Sequence, residues 1–242
     1  LHALHALAGR MPTKQQLAAE GIEVEQELLR ETVGSQDQVA AAYGGFNHIL
    51  FDANGQIQVR PMALARERVA EFNAHFMLFY TGIVRTASWI AEGVVKEIPK
   101  SEVLLRRCRG LVSEALSVLT SGRDLAPIGA LLHEAWQAKR GLSSRVSNPE
   151  VDKIYEAARQ AGATGGKLTG AGGGGFMLLF VPPAKQARVR EALHNLIHVP
   201  FRFESSGSQI IFFDREQDYS AEEHARSGQE ITRFHELTAP GP

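Results

Sequence analysis

The chain has 242 residues, 44% of them hydrophobic and 22% charged, with a formal net charge of −1. That length supports two modest domains with a real core, and the near-neutral charge, with no basic cluster interleaved with aromatics, excludes a broad field for nucleic acid. The single cysteine, Cys108, excludes an internal disulfide, and no apolar run approaches membrane-spanning length.

Leu1 to Leu7 reads as a short helix lacking the charged start and cleavage signal of a secretory peptide. His2 and His5 lie close together on it and, without further ligands, are read as structural rather than as a metal site. Pro12 and Thr13 open a second helix whose Leu17, Gly21, Val24 and Leu28 share one face, with Glu25 beside that stripe. Next comes Gly34-Ser35-Gln36-Asp37-Gln38. Ser35 and Gln38 have capping-box spacing, so a short helix is predicted from Ser35 to the pair Gly44-Gly45. Asp37 then sits in its first turn, where the helix dipole favours an ionised carboxylate ready to orient or deprotonate a hydroxyl. The bland alternative is that Asp37 only supports the helix terminus.

Phe46 to Phe51 and Gln56 to Arg60 form a hairpin about Asn54-Gly55. Pro61 and the charged Arg66-Glu67-Arg68 mark the boundary of a second unit near residue 68. Ala74 to Tyr80 reads as a buried strand, with helices predicted near 83–97, 101–120, 124–142 and 149–161. Cys108 falls on an ordinary helix, and a reactive thiol is the minority reading. Asn148 caps the last helix, Pro149 opens it and Gly162 stops it. A strand over Phe176 to Val181, a helix to about 197, and strands near 201–204 and 208–213 complete an α+β sandwich. Residues 215–242 have little apolar periodicity and read as a mobile tail.

Between the fourth of these helices and the strand at Phe176 stands the most informative run, Lys167-Leu168-Thr169-Gly170-Ala171-Gly172-Gly173-Gly174-Gly175-Phe176, five of whose ten residues are glycine. Such density lets backbone approach a ligand, adopt positive φ and aim several N–H groups at one anion. The run formally satisfies G-x-G-x-x-G, but that fingerprint requires a strand before it and a helix after it, and here the predicted order is reversed. A P-loop fails as well, because Leu168 follows Lys167 where Ser or Thr is required. A plain turn entering a central strand is the remaining alternative.

The two segments together resemble the GHMP small-molecule kinases, named for galactokinase, homoserine kinase, mevalonate kinase and phosphomevalonate kinase. Lys167 to Phe176 looks like the third, glycine-rich motif of that family, and Gly34 to Gln38 like the loop bearing its catalytic aspartate. Gly34 to Gln38, Ala40 to Asn47, Tyr80-Thr81-Gly82-Ile83-Val84-Arg85, Trp136 with Lys139, and Pro200 to Phe203 with Gly207-Ser208-Gln209 are most similar to the D-glycero-D-manno-heptose 7-phosphate kinase branch. The likeness covers roughly residues 1 to 213.

The resemblance implies an α+β fold: the latter part of a ribosomal-protein-S5-like domain over 1–68, then a ferredoxin-like GHMP C-terminal domain over 69–214. It implies ATP and Mg²⁺, a cytoplasmic setting, and phosphoryl transfer to a sugar or sugar phosphate. Asp37 would be catalytic. Lys167, Thr169, Gly170, Ala171, Gly172, Gly173 and Gly174 would hold nucleotide, and Gly34, Gln36, Gly44, Arg85 and Lys139 the acceptor, with Arg85 and Lys139 on a distal phosphate. For those two an exposed ion-pairing role is equally open. Glu25 is the candidate magnesium ligand and Glu27 its rival, against the alternative of a solvated helix charge. Family members carry a strand region and a Gly/Ser-rich loop before the position equivalent to Leu1, so the chain reads as a fragment expected to be inactive alone. A galactokinase-like or fucokinase-like kinase, a non-catalytic binding protein and a decarboxylase of the same fold are the competing readings. The oligomeric state is open.

Overall fold

The computed structural model describes residues 1–84, 87–213 and 219–228. Helix α1 spans His2–Leu7 and α2 spans Lys14–Glu23. The latter starts in a true capping box: the Thr13 hydroxyl accepts the Gln16 N–H at 3.1 Å, and the Gln16 side chain accepts the Thr13 N–H at 2.8 Å. Such a cap stabilises a helix by about 1 kcal/mol. One π turn, Val24–Leu28, extends α2. Its wider winding shifts the angular position of each successive side chain, so the expected stripe breaks: Leu17 is buried, whereas Leu28 is 70% exposed.

Helix α3, Gln36–Tyr43, ends at Gly44 with φ of 63°. The capping box expected at its start does not form. Ser35 Oγ accepts instead from Gln26 Nε2 at 3.2 Å, and Gln38 donates to Glu25 Oε2 at 2.6 Å, so both side chains serve tertiary contacts across to the π turn. Strands β1 (Asn47–Phe51) and β2 (Ile57–Pro61) pair antiparallel with Ile49 opposite Val59. Ile49, Ile57 and Val59 pack on Leu17, Ala18, Val39 and Ala42, which joins α2, α3 and the hairpin around one small core.

Helix α4, Arg66–Ala74, occupies the stretch expected to be a boundary. Arg66 and Glu67 are exposed in its first turn, Arg68 turns inward to donate to the Val118 carbonyl at 2.9 Å, and a division at residue 68 would cut through the helix. Phe72 of α4 is buried and sits between Phe46 and Phe203, with Phe76 edge-on at 4.9 Å, so the two units share an aromatic seam.

The second unit runs β3 (Phe76–Tyr80), α5 (Ala87–Glu97), α6 (Glu102–Thr120), α7 (Ala126–Leu142), α8 (Pro149–Ala161), β4 (Gly165–Leu168), β5 (Phe176–Phe180), α9 (Gln186–Ala192) and β6 (Ile197–Val199). The sheet order is β4-β5-β3-β6, every pair antiparallel, with Leu78 opposite Leu178 and Val199, and Lys167 opposite Leu178. Strand, helices, two strands, helix, strand in that order is the ferredoxin-like arrangement, so the expected α+β class holds. Alternate residues Met77, Phe79, Met177 and Leu179 bury one face against Trp136, Val151, Tyr155 and Ala158 of α7 and α8.

Three expectations change. Strand β4 lies directly before the glycine run, where no strand was expected, because Gly165-Gly166 carries no β-forming side chain. The G-x-G-x-x-G fingerprint stays excluded, since a strand and not a helix comes after it. The helix after β5 stops at Ala192, and its place at the sheet edge goes to β6. Residues 201–213 form no strand. The Phe203 N–H donates to the Asn73 side chain at 3.0 Å and its ring joins the seam, so the aromatic alternation serves a lock between units rather than a ladder. Of the expected tail, residues 219–228 include a helix, α10 (Ser220–Ser227), with no buried residue. The rest lies outside the described residues.

Helix α7 approaches β4 through two glycines. A Cβ on Gly165 would lie 1.8 Å from the Gly129 carbonyl oxygen, and one on Gly129 would lie 2.0 Å from the Thr164 hydroxyl. Gly165→Ala should therefore lower stability by about 2 kcal/mol or more, read from the urea midpoint at constant slope. Gly110→Ala on α6, where the added methyl meets only the Arg107 guanidinium at 3.6 Å, should be neutral or slightly stabilising.

Candidate active site

Asp37 stands in the first turn of α3, solvent-exposed, with no hydrogen bond or ion pair of its own among the described residues. The loop before it is held by Gln26, whose amide reaches the Val33 carbonyl at 3.0 Å as well as Ser35. Glu25 is half-buried and hydrogen-bonded to Gln38, the neighbour of Asp37, whereas Glu27 is exposed. Of the two carboxylates, Glu25 is thus the one tied to the Asp37 helix. Among the described residues no three of His, Cys, Asp and Glu cluster as a metal site. His2 binds the Ser208 hydroxyl at 2.9 Å and His5 binds Glu20 at 2.5 Å, the structural roles expected of them.

The glycine run joins β4 to β5. Its base closes through Thr169, whose N–H donates to the Phe176 carbonyl at 2.9 Å. Gly170, Gly172, Gly173 and Gly175 all have φ between 70° and 119°, a region L side chains rarely adopt. The far half of the loop is packed inward. Gly173 N–H donates to Val146 O and Gly175 N–H to Ile83 O, each at 2.8 Å, while Thr81 donates through both backbone and hydroxyl to Gly175 O. Asn148 uses its two side-chain atoms separately. Its Oδ1 caps α8 by accepting from Glu150 and Val151, and its Nδ2 donates to Gly173 O at 2.8 Å. The donors of Gly173 and Gly175 are therefore spent on the protein, and the exposed tip around Gly170 and Ala171 faces outward.

Two lysines flank that tip. Lys139, near the end of α7, donates to the Gly170 carbonyl at 2.5 Å. Burial and then the charge of Lys167 push its amine down to about 8, with Asp37 pulling the other way. Burial also lowers Lys167 on β4, again opposed by Asp37. Asp37, Lys139 and Lys167, named from separate parts of the sequence, thus form one electrostatic neighbourhood under the glycine loop. Cys108 on α6 borders it, its thiol pushed up by burial and so kept unreactive. Trp136, one turn before Lys139, is fully buried in the core.

The remaining candidates are placed differently. Nothing crowds Gly34, and Gln36 opens onto a largely apolar cleft of about 480 Å³ lined also by His48, Phe51, Val112 and Leu116. Gly44 lies against Gly207 in a backbone crossing, where a Cβ would meet the Gly207 nitrogen at 1.9 Å. Arg85 lies outside the described residues. Sequence reasoning missed Gln26, Thr81 and the link from Asn148 to the loop. Asn148 was legible as a cap, but its second bond spans 25 residues and leaves no local signature.

Residues 111–198 match the family described as GHMP kinases C terminal. Over those residues the chain carries a GHMP kinase C-terminal domain. It is 33% identical over 180 residues to D-glycero-alpha-D-manno-heptose 7-phosphate kinase of Campylobacter jejuni, covering 74% of this chain and 53% of that protein. It is 29% identical over 172 residues to the bifunctional fucokinase/GDP-fucose pyrophosphorylase of Arabidopsis thaliana, covering 67% of this chain and 16% of that protein. A crystal structure of a D-glycero-D-manno-heptose 1-phosphate kinase from Bacteroides thetaiotaomicron superposes with a TM-score of 0.61 at 25% identity, over 88% of this chain and 60% of that one. The chain spans about half the length of the first of these relatives. No helix among the described residues is long and apolar enough to cross a membrane.

The Lys139 amine sets a pH dependence whose sign is fixed. Its folded pKa, about 8, lies below the ordinary 10.5, so between those values the unfolded chain binds more protons and stability rises with pH. Lys139→Met should therefore be more stable than wild type near pH 7, with the difference in urea midpoint shrinking as pH rises from 8 past 10.5. A difference constant over that range would remove the buried-ammonium explanation.

Proposed function

We propose that this chain belongs to an ATP-dependent kinase that phosphorylates a sugar phosphate, with the anomeric hydroxyl of D-glycero-D-manno-heptose 7-phosphate as acceptor, acting in the cytoplasm. The observation that carries this reading is the glycine loop with Lys139 bound to its Gly170 carbonyl at 2.5 Å, Lys167 and Asp37 both acting on the charge of that amine. Phosphoryl transfer demands positioning and charge stabilisation more than covalent chemistry, and this set supplies both. Asp37, exposed at a helix N-terminus, orients the acceptor hydroxyl and takes its proton. The tip of the loop, exposed Gly170 and half-buried Ala171, offers backbone N–H groups to phosphate oxygens, with Thr169 holding its base and Gly172, Gly173 and Gly174 packed behind it. Lys167 neutralises charge on the phosphoryl group in flight. Gly34 and Gln36 border the acceptor, and Arg85 would join Lys139 on its distal phosphate.

Magnesium fits with one protein ligand. Glu25 has one carboxylate oxygen engaged by Gln38 and the other available, and Mg²⁺ commonly takes one or two carboxylates together with phosphate oxygens. When bound it would neutralise phosphate charge. The fucokinase likeness supports a second reading, in which the acceptor is an unphosphorylated sugar.

Both rest on Asp37. In the full-length enzyme, Asp37→Asn should lower kcat by about a hundredfold or more while ATP affinity stays within about threefold. Near-normal turnover would sink the assignment. Comparison of kcat/KM for heptose 7-phosphate, unphosphorylated heptose and fucose separates the two acceptors, and neutralising Lys139 should narrow any preference for the phosphorylated sugar. Equal values for heptose and its 7-phosphate would favour the second reading.

A further inference from the structure

Helix α3 carries Asp37 at one end, and at the other it is held by a segment more than 160 residues away in sequence. Ser208 N–H donates to the Ala41 carbonyl at 2.9 Å, one helical turn from Asp37, and Gly45 N–H donates to the Glu204 carbonyl at 3.0 Å. Lys14 bridges the two parts, its ammonium donating to Tyr43 O at 2.7 Å and Ser206 O at 2.5 Å. The Glu204 carboxylate turns back to accept the N–H groups of Ser206, closely, and of Gly207 at 2.8 Å. These contacts hold the loop in the shape that meets the helix, and together with Lys14 they keep the Glu204 carboxyl below its usual range. Gly44 and Gly207 cross so closely that a Cβ on Gly207 would lie 2.6 Å from Ala42 O and from Gly44 N. No side chain separates the helix end from the loop.

An eight-residue helix is marginal by itself, and α3 buries only Val39 and Ala42. Those two contacts resist rotation, and at the N-terminal end the Gln26 and Gln38 side chains tie α3 to the π turn, so sliding along the axis is checked from both ends. The hydrogen-bonded clasp at the C-terminus opposes it directly. The orphan carbonyls of the last turn are the groups it uses, and their partners are fixed by Glu204 and Lys14. The distance from Tyr43 to Asp37 is about 9 Å at 1.5 Å per residue, too short for the helix to absorb a shift at its base.

We propose that Glu204 and Lys14 are positioning residues that set where Asp37 stands relative to the glycine loop. The inference rests on the kinase reading of Asp37. A displacement of under 1 Å at a reacting group is enough to cost turnover without costing substrate binding.

The test is a double-mutant cycle in the full-length enzyme, with ADP release followed under heptose 7-phosphate and Mg-ATP. Glu204→Gln, which keeps the shape and removes the charge, should lower kcat about tenfold with KM for ATP within about twofold. Lys14→Met should do the same, and Lys14→Arg should restore most of the loss. Placed on Asp37→Asn, Glu204→Gln should change kcat by less than about twofold, because the group it positions is already disabled. In parallel, hydrogen exchange at the amides of residues 39–45 should quicken in Glu204→Gln while that of β4 and β5 does not. Unchanged kcat in both Glu204→Gln and Lys14→Met overturns the proposal, as does a full tenfold loss added on top of Asp37→Asn. Near-normal turnover in Asp37→Asn itself overturns the catalytic assignment of Asp37 and the clasp with it, so the two failures are told apart.

Discussion

The close approach of α7 to β4 is the constraint on which the site depends. Two backbones meet at Gly129 and Gly165 with no room for a methyl group between them. Because the helix lies that near the strand, Lys139 at its far end reaches the loop that leaves β4, and Lys167 on β4 is drawn beneath the same helix. Larger residues would separate the layers, and both ammonium groups would find water instead of each other. The glycines here act through packing, whereas those of the loop act through positive φ. One residue type meets two different demands within a dozen positions.

That packing creates an electrostatic imbalance that the described protein atoms do not resolve. Two half-buried lysines repel one another, and the one nearby carboxylate is exposed and only partly offsets them. Desolvated like charges are unfavourable unless an anion enters. Surface ion pairs such as Arg106 with Glu102 or Lys153 with Glu150 are exposed on both sides and contribute about 0.5 kcal/mol or less each, so they do not offset this strain. The buried apolar layer does, since removing one residue such as Leu179 would cost about 3 kcal/mol.

The aspartate reaches this neighbourhood from a different unit, held by contacts of a different kind. The aromatic seam of Phe46, Phe72, Phe76 and Phe203 fixes the first unit broadly against the second. Aromatic packing is tolerant of small displacement. Hydrogen bonds are not, and the polar clasp on the end of α3 supplies the finer control. Coarse placement by apolar area and fine placement by directional bonds divide the work between residues 46–76 and 204–208.

The amino-acid sequence by itself determined what depends on neighbours a few residues away. The helices over 101–120 and 149–161, the hairpin about Asn54-Gly55, the turn at Gly44 and the position of Asp37 in a first helical turn were all legible, because periodicity, caps and glycine act locally. So was the glycine run, whose composition has few uses. Tertiary structure alone decided the rest. Strand β4 exists because β5 offers it a ladder and α7 a close surface, not because Gly165-Gly166 favours extension. Ser35 and Gln38 have capping-box spacing but bond to Gln26 and Glu25, since side chains brought in from the π turn compete with the local pairing. Arg66-Glu67-Arg68 lies in the first turn of a helix that buries Phe72, and Arg68 bonds to the end of α6 some 50 residues away, a contact that charge along the chain does not encode. Lys139 lies 31 residues from Gly170 and Glu204 lies 160 from Gly44. Such contacts are chosen by the packing of whole elements, and no spacing along the chain encodes them.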